Sequence, residues 1–383
     1  MDFNPLPIAQ ALLRVPSVCP DDNGAIDVLA GMLTALGFTC EKLFFTGSDG
    51  PDTVNLFAWR GAGAPHFCFA GHTDVVPAGD AAAWSHDPFG AVVVDDVLYG
   101  RGAVDMKGCI AAFIAAVEKL PEQSGTLSFL ITGNEEGVAT NGTPKVLAWL
   151  KERGQVPDHC LVGEPTSEGR IGDTIKNGRR GSFSGELTVR GVQGHVAYPQ
   201  RTLNANHLLG KVIAALTAQP IDDGNRDFPA SSFQITDMKT LGETAGNVVP
   251  AAAWCQFNIR YNTLQNPDTL RRWLQQKIDG LLLPITGASY DLQTHHSADV
   301  FLTPAGEYVQ LVGEAITSVT GKIVTLSTGG GTSDARFIKD YCPVLELGLN
   351  NMTAHKVDES VPLSDLKELA GIYHAILKRY FGS

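Results

Sequence analysis

Six residues able to bind a metal or move a proton, His72, Asp105, Glu135, Glu136, Glu164 and His355, stand at loops, five of them past short apolar segments. The segment His66 to Ala70 runs into Gly71-His72-Thr73-Asp74, and Leu127 to Thr132 runs into Gly133-Asn134-Glu135-Glu136. Cys160 to Val162 leads to Gly163-Glu164-Pro165, Val344 to Gly348 to the loop with His355, and Asp105 closes a glycine-flanked loop before a helical stretch. Carboxylates gathered this closely repel one another and take up protons unless cations neutralise them. Two histidines and three carboxylates suit a pair of divalent ions, zinc or a near neighbour. One carboxylate can bridge ions about 3.5–4 Å apart, and a water between them ionises near neutral pH. Asp74, two residues after His72, is placed to accept the other imidazole N–H and fix its tautomer. In the Glu135-Glu136 pair, the second acid can bind metal while the first takes a proton, a role worth roughly 10²–10⁴-fold. Each signal alone has an ordinary reading: a chance His-x-Asp, a solvated Glu-Glu face, a Glu-Pro turn. Their recurrence at successive strand ends sets them apart. His66, His86, His159, His207, His295, His296 and His374 lack such partners and read as surface or core residues.

The elements that must hold these residues alternate in period. Val54 to Trp59, His66 to Ala70, Leu127 to Thr132 and Cys160 to Val162 are predicted strands, and Lys107 to Leu120 and Thr143 to Arg153 predicted helices. Tyr308 to Thr320 (helix), Pro343 to Gly348 (strand) and Leu363 to Tyr380 (helix) resume the style near the end. Apolar strands separated by helices predict an α/β domain with a mainly parallel sheet, whose loops at the strand carboxyl ends converge on one crevice. The middle reads strand, helix, strand, strand, helix, strand from Phe183 to His295, the ferredoxin-like order. The expected organisation is a discontinuous catalytic domain, 1–180 and 296–383, carrying an inserted α+β domain, 181–295.

At 383 residues, the chain has room for two domains of about 150 residues. Hydrophobic residues at 44% and charged residues at 18% fit a globular chain and exclude extensive disorder. The net charge is −12 and no Lys/Arg-rich run occurs, so no nucleic-acid partner is expected. The first residues lack a basic, then apolar, leader, and Cys109 to Val117 is too short to span a bilayer; neither secretion nor a membrane partner is expected. Seven scattered cysteines without a Cys-x-x-Cys pair predict reduced thiols and a cytoplasmic setting.

The segments GHTDVVPAGD, WSHDPFG, LYGRGAVDMKG, TGNEEG and GEPT occur in the order seen in the dinuclear-zinc M20 metallopeptidase family. The chain resembles that family over nearly its whole length, inserted domain included. GDTIKNGRRGSFSGELTVRGVQGHVAYP, GNVVP, STGGGTSDARFI and the stretch from His355 to Glu359 resemble more narrowly its branch that removes succinyl groups from diamino acids. The resemblance implies two zinc ions per subunit, with cobalt able to replace one. His72 and Glu164 would hold one ion, Glu136 and His355 the other, and Asp105 would bridge them, with a cis peptide before Met106. Glu135 would be general base and then proton donor, and Asp74 the orienting residue. The inserted domain would mediate homodimerisation, with His195 polarising the scissile carbonyl in the partner's site and Asn247 reaching it too. Many members of the branch have Asp-Glu-Glu where this chain has Asn134-Glu135-Glu136, which should ease repulsion on Glu135.

A succinyl group carries a carboxylate, which calls for guanidinium forks and hydroxyl donors. The resemblance nominates Arg179, Ser182, Tyr198, Asn247, Arg260, Thr332 and Asn351. Lys176, Arg179 and Arg180 form a basic cluster, either a solvated face or a site for an anionic ligand. Gly329-Gly330-Gly331 lacks the Gly-Lys-Ser/Thr ending of a phosphate loop and reads as backbone approaching substrate. The implied activity is hydrolysis of N-succinyl-LL-2,6-diaminopimelate to succinate and LL-2,6-diaminopimelate in bacterial lysine biosynthesis. The rivals are N-acetylornithine deacetylation or carboxypeptidase action on the same centre, or a non-catalytic binding protein on the same scaffold.

Overall fold

The helix Lys107–Glu118 is apolar around most of its circumference because it has cover on opposite sides. Its Phe113 ring stacks 4.1 Å from Phe69 of the sheet and lies 5.2 Å from Tyr373 of the last helix, Leu363–Phe381. The apolar run Cys109 to Val117 is thus wholly buried core. Among the described residues, no helix is long and apolar enough to cross a membrane.

The computed structural model describes residues 2–47, 50–243 and 245–382. It divides into Met1–Asn177 with Leu302–Ser327 and Ser333–Ser383, and Gly178–Phe301 with Thr328–Thr332. The boundaries lie a few residues from 180/181 and 295/296. The short run Thr328–Thr332 joins the inserted unit, where the Thr328 hydroxyl donates to Asp227 O at 2.6 Å.

The first unit is built on an eight-stranded sheet: Thr39–Phe45, Thr53–Ala62, Gly125–Thr132, His66–His72, His159–Val162, Val344–Glu346, Thr174–Lys176 and Thr325–Ser327, in that spatial order. The four strands from Gly125–Thr132 to Val344–Glu346 run parallel. Those are the strands whose carboxyl ends lead to His72, Glu135, Glu164 and His355, so the crevice expected of a parallel sheet forms there.

The sheet is parallel through this middle and mixed at its sides. Thr39–Phe45 and Thr53–Ala62 pair antiparallel at one side, and Val344–Glu346 meets Thr174–Lys176 antiparallel. The direction of Thr53–Ala62 follows from its link to His66, too short for the crossover that a parallel return needs. That link crosses the start of the neighbouring strand so closely that a Cβ on Gly125 would lie 2.3 Å from Pro65 O. A small three-stranded sheet of Val92–Val94, Val97–Tyr99 and Ser360–Pro362 brings Ser360 opposite Tyr99.

The inserted unit has an antiparallel sheet ordered Ser232–Leu241, Ala252–Tyr261, Gly181–Arg190, Ser289–Ala298, with helices Ala205–Thr217 and Pro267–Leu282. In chain order these strands read second, third, first, fourth, the ferredoxin-like arrangement. Ala252–Tyr261 alternates strictly between buried and half-buried, with Ala253, Cys255, Phe257, Ile259 and Tyr261 in the core. Asn266 starts the longer helix as a capping box, accepting from the Asp268 and Thr269 amides while the Thr269 hydroxyl accepts from its own N–H.

Candidate metal centre

Asp105 is the hub of the crevice. Its Oδ1 lies 3.3 Å from His72 Nε2 and its Oδ2 lies 3.2 Å from His355 Nε2. Glu164 Oε1 is 3.5 Å from His72 Nε2, and Glu136 Oε1 is 2.8 Å from His355 Nε2. The donors therefore fall into two triples sharing one residue: His72, Asp105, Glu164 and Asp105, Glu136, His355. The peptide between Asp105 and Met106 is cis.

These residues fit a pair of cations on observations independent of any resemblance. His72 Nε2 and Asp105 Oδ1 are buried and face each other, yet neither has a hydrogen-bond partner of proper geometry. Such orphaned atoms are rare in native interiors and point to a ligand. The donor set, two imidazoles and three carboxylates with each oxygen of one carboxylate facing a different triple, is of the kind that binds divalent cations.

The charges tell the same story. Burial pushes the Asp105 carboxyl up, but His355 and His72 together outweigh it and hold it below the usual carboxylate range. Burial opposes the charged form of His72, yet Asp105 and Glu164 raise it well above an ordinary imidazole. His355 is raised to about 10 by Asp105 and Glu136. Burial, then Asp105, lifts Glu164 to about 7. Glu135 is pushed well above an ordinary carboxyl, first by burial and then by Glu164. Carboxylates and imidazoles set this close favour added positive charge among them, which bound cations can supply.

Asp74 divides its work between two groups. His72 Nδ1 is 2.9 Å from the Asp74 main-chain carbonyl, while the Asp74 carboxylate stands 3.6 Å off. The carbonyl, not the expected carboxylate, therefore fixes the His72 tautomer. The carboxylate accepts instead from the Glu135 and Glu136 amides, at 3.0 and 2.9 Å, and so shapes the turn that presents both acids. Asn134, buried beside it, donates to Thr53 Oγ1 at 3.3 Å and accepts from Cys19 Sγ at 3.2 Å.

Asn351 belongs to the same unit, with its amide on Ser167 O at 3.2 Å, three residues past Glu164. The other nominated residues lie in the inserted unit. His195 is exposed on a two-residue strand opposite Val248, and its ring lies 5.7 Å from Tyr198. The Val196 amide donates to Asn247 O at 3.1 Å, so His195, Tyr198 and Asn247 lie around one small two-stranded ladder. Ser182 and Arg260 are cross-strand partners, and Ser182 Oγ accepts from Asn258 Nδ2 at 3.0 Å. Arg179 donates to Gly329 O at 3.1 Å, and a Cβ on Gly330 would lie 2.6 Å from its Nη1. The glycine run that precedes Thr332 is thus shaped to approach the Arg179 guanidinium. Lys176 does not join a free basic cluster: its ammonium is engaged by Glu168 at 3.2 Å and Ser327 at 3.0 Å.

Sequence reasoning missed two groups near the centre. Asp334 is buried, takes the Thr143 hydroxyl on one oxygen and leaves the other without a hydrogen bond. Glu359 and Arg101 form a buried ion pair at 2.6 Å across 258 residues, a separation at which no local pattern announces contact.

Residues 68–379 match peptidase family M20/M25/M40. The chain is 48% identical over 381 residues to a succinyl-diaminopimelate desuccinylase of Parvibaculum lavamentivorans, covering 99% of this chain and 96% of that one. A protein of the same name from Afipia carboxidovorans is 50% identical over 381 residues, 98% and 99% of the two chains. Among solved structures, an aminopeptidase of Bacillus cereus superposes with a TM-score of 0.79 at 21% identity, over 99% of both chains. An M20 family metallo-carboxypeptidase of Sulfolobus solfataricus gives 0.76 at 17% identity over the whole of both. At such identities the structures speak for the fold alone.

Proposed function

We propose that this chain, which belongs to peptidase family M20/M25/M40, hydrolyses N-succinyl-LL-2,6-diaminopimelate to succinate and LL-2,6-diaminopimelate. The observation that carries the reading is the 48–50% identity, end to end, with chains named succinyl-diaminopimelate desuccinylase. The twin triples around Asp105 supply a matching chemistry.

His72 and Glu164 would hold one zinc ion, Glu136 and His355 the other, with Asp105 between them; cobalt can stand for one. Bound there, the ions supply Lewis acidity toward the amide carbonyl and lower the pKa of the attacking water. Glu135, whose carboxyl is pushed up by burial and by Glu164, takes the proton from that water and delivers it to the leaving amine nitrogen as the C–N bond breaks. A carboxyl raised in this way holds a proton more firmly than an ordinary one, which suits its delivery to the leaving amine. Asp74 holds the Glu135-Glu136 turn through its carboxylate. His195 donates to the oxyanion of the tetrahedral intermediate from the inserted unit of a second subunit, with Asn247 beside it; we read that unit as a lid and homodimerisation domain. Arg179, Ser182, Tyr198, Arg260, Thr332 and Asn351 recognise the substrate, the guanidinium forks taking its carboxylates. Seven free cysteines support a cytoplasmic setting for the enzyme.

Primary-amine release by the zinc-loaded protein tests the reading, with N-succinyl-LL-diaminopimelate and N-acetylornithine compared at matched concentration. A large preference for the succinylated substrate is expected. Preference for the acetylated one, or for neither, would keep a two-metal hydrolase and remove the desuccinylase.

A further inference from the structure

Glu359 is wholly buried, and the chemistry above makes no use of it. Its Oε1 accepts from the Val104 amide at 2.8 Å and the Asp105 amide at 3.1 Å. Its Oε2 accepts from the Gly102 amide at 3.1 Å and from Arg101 Nη1 at 2.6 Å. Four donors thus converge on one carboxylate, and three of them are the backbone of the loop that ends in Asp105.

Arg101 is equally enclosed, with its guanidinium 5.3 Å from the Trp84 ring. Its Nη2 points to two carbonyls, Pro77 O at 3.3 Å and His355 O at 3.4 Å. One ion pair therefore joins three segments: the chain leaving His72 and Asp74, the loop carrying Asp105, and the turn carrying His355. That turn needs holding. His355 has φ +61° and Asp358 φ +58°, both in the left-handed region that side chains disfavour. Asp358 is pinned by the Ser85 amide and hydroxyl at 2.7 and 2.8 Å, and the His355 carbonyl by Arg101.

A buried ion pair is a poor device for stability alone, since well-packed apolar residues usually do as well. It does supply direction: a fork that reaches a carboxylate and two carbonyls at once, and a carboxylate that orders successive amides. We propose that Arg101 and Glu359 are positioning residues, a clamp that fixes Asp105 and His355 relative to each other and so preforms the triple Asp105, Glu136, His355. The clamp rests on the two-metal reading of the centre. Partners of this kind change metal affinity by about 10- to 100-fold when removed.

The test is zinc titration of the metal-free full-length protein against a competing chromophoric chelator, alongside thermal unfolding of the same metal-free samples. His355→Ala identifies which binding step belongs to the His355 triple. Arg101→Lys keeps the charge on Glu359 but loses the fork. It should weaken that step about tenfold or more and leave the other within about threefold. Glu359→Gln, which removes acceptors from the Asp105 loop, should weaken both steps. Wild-type binding of two ions with Arg101→Lys titrating identically overturns the clamp. So does an equal weakening of both steps in Arg101→Lys that tracks a fall in metal-free melting temperature, because that is general destabilisation. Should Glu359→Gln fail to fold, Arg101→Lys alone decides. Wild-type protein that takes up no zinc overturns the two-metal reading itself, and the clamp with it.

Discussion

The strand His66–His72 carries a histidine at each end, and the two have opposite fates. At the amino end, His66 Nε2 meets the Ser128 hydroxyl at 2.8 Å, and the backbone N–H donates to Asp158 Oδ2 at 2.7 Å. Burial lowers its pKa to about 4, so the ring is neutral and its needs are met by a hydroxyl. At the carboxyl end, His72 is more deeply buried, yet Asp105 and Glu164 raise it well above the ordinary value. Its Nε2 has carboxylates before it but no hydrogen bond. Burial is common to both rings, so charge and unmade bonds mark the functional end.

The sharpest way to break that comparison is at Glu135. Glu135→Gln should lower kcat by roughly 10²–10⁴-fold with zinc content unchanged; zinc lost together with turnover would make Glu135 a structural group. Next comes the question of whether the strand-end site suffices. His195→Ala should cut kcat by roughly 10²–10³-fold without altering zinc uptake, and an unchanged kcat would remove the inserted unit from the chemistry. Arg179→Ala should raise KM for the succinylated substrate by about 10-fold or more, as expected for one charge-assisted hydrogen bond, and far less for an acetylated one. An equal rise for both would make Arg179 a general binder.

The smallest effect belongs to the other end of the strand. Folded His66 titrates near 4 and the unfolded chain near about 6.5. A depressed histidine contributes stability that is full above about pH 6.5 and lost as the pH falls through its folded value. His66→Gln, which can still bond Ser128, should leave turnover intact. It should also narrow the difference in melting temperature between about pH 7 and pH 4. A variant with lost activity would erase the distinction between the two ends.

The centre was legible because its signal is local and repeated. An apolar run followed by an acid or histidine occurs at successive strand ends, and parallel pairing then gathers them. Ferredoxin-like order was legible for a related reason, since strands such as Ala252–Tyr261 alternate strictly. The antiparallel side of the large sheet was not. Thr39–Phe45 is mostly exposed and lacks the apolar run of a covered strand. Tertiary pairs were also hidden: nothing near Arg101 foretells Glu359, and nothing near Lys176 foretells that Ser327 engages it. Asp74 was half legible, since spacing placed it beside His72 but could not say which of its oxygens would face the ring.

That last detail bears on how position 74 can vary. Every amino acid brings a main-chain carbonyl, so the hold on the His72 tautomer survives any replacement that keeps the backbone path. The side chain has a separate task, since only its two oxygens receive the Glu135 and Glu136 amides. Mutational tolerance at this site is thus split within one residue: ring orientation is robust by construction, and selection on the carboxylate acts through the acids it presents.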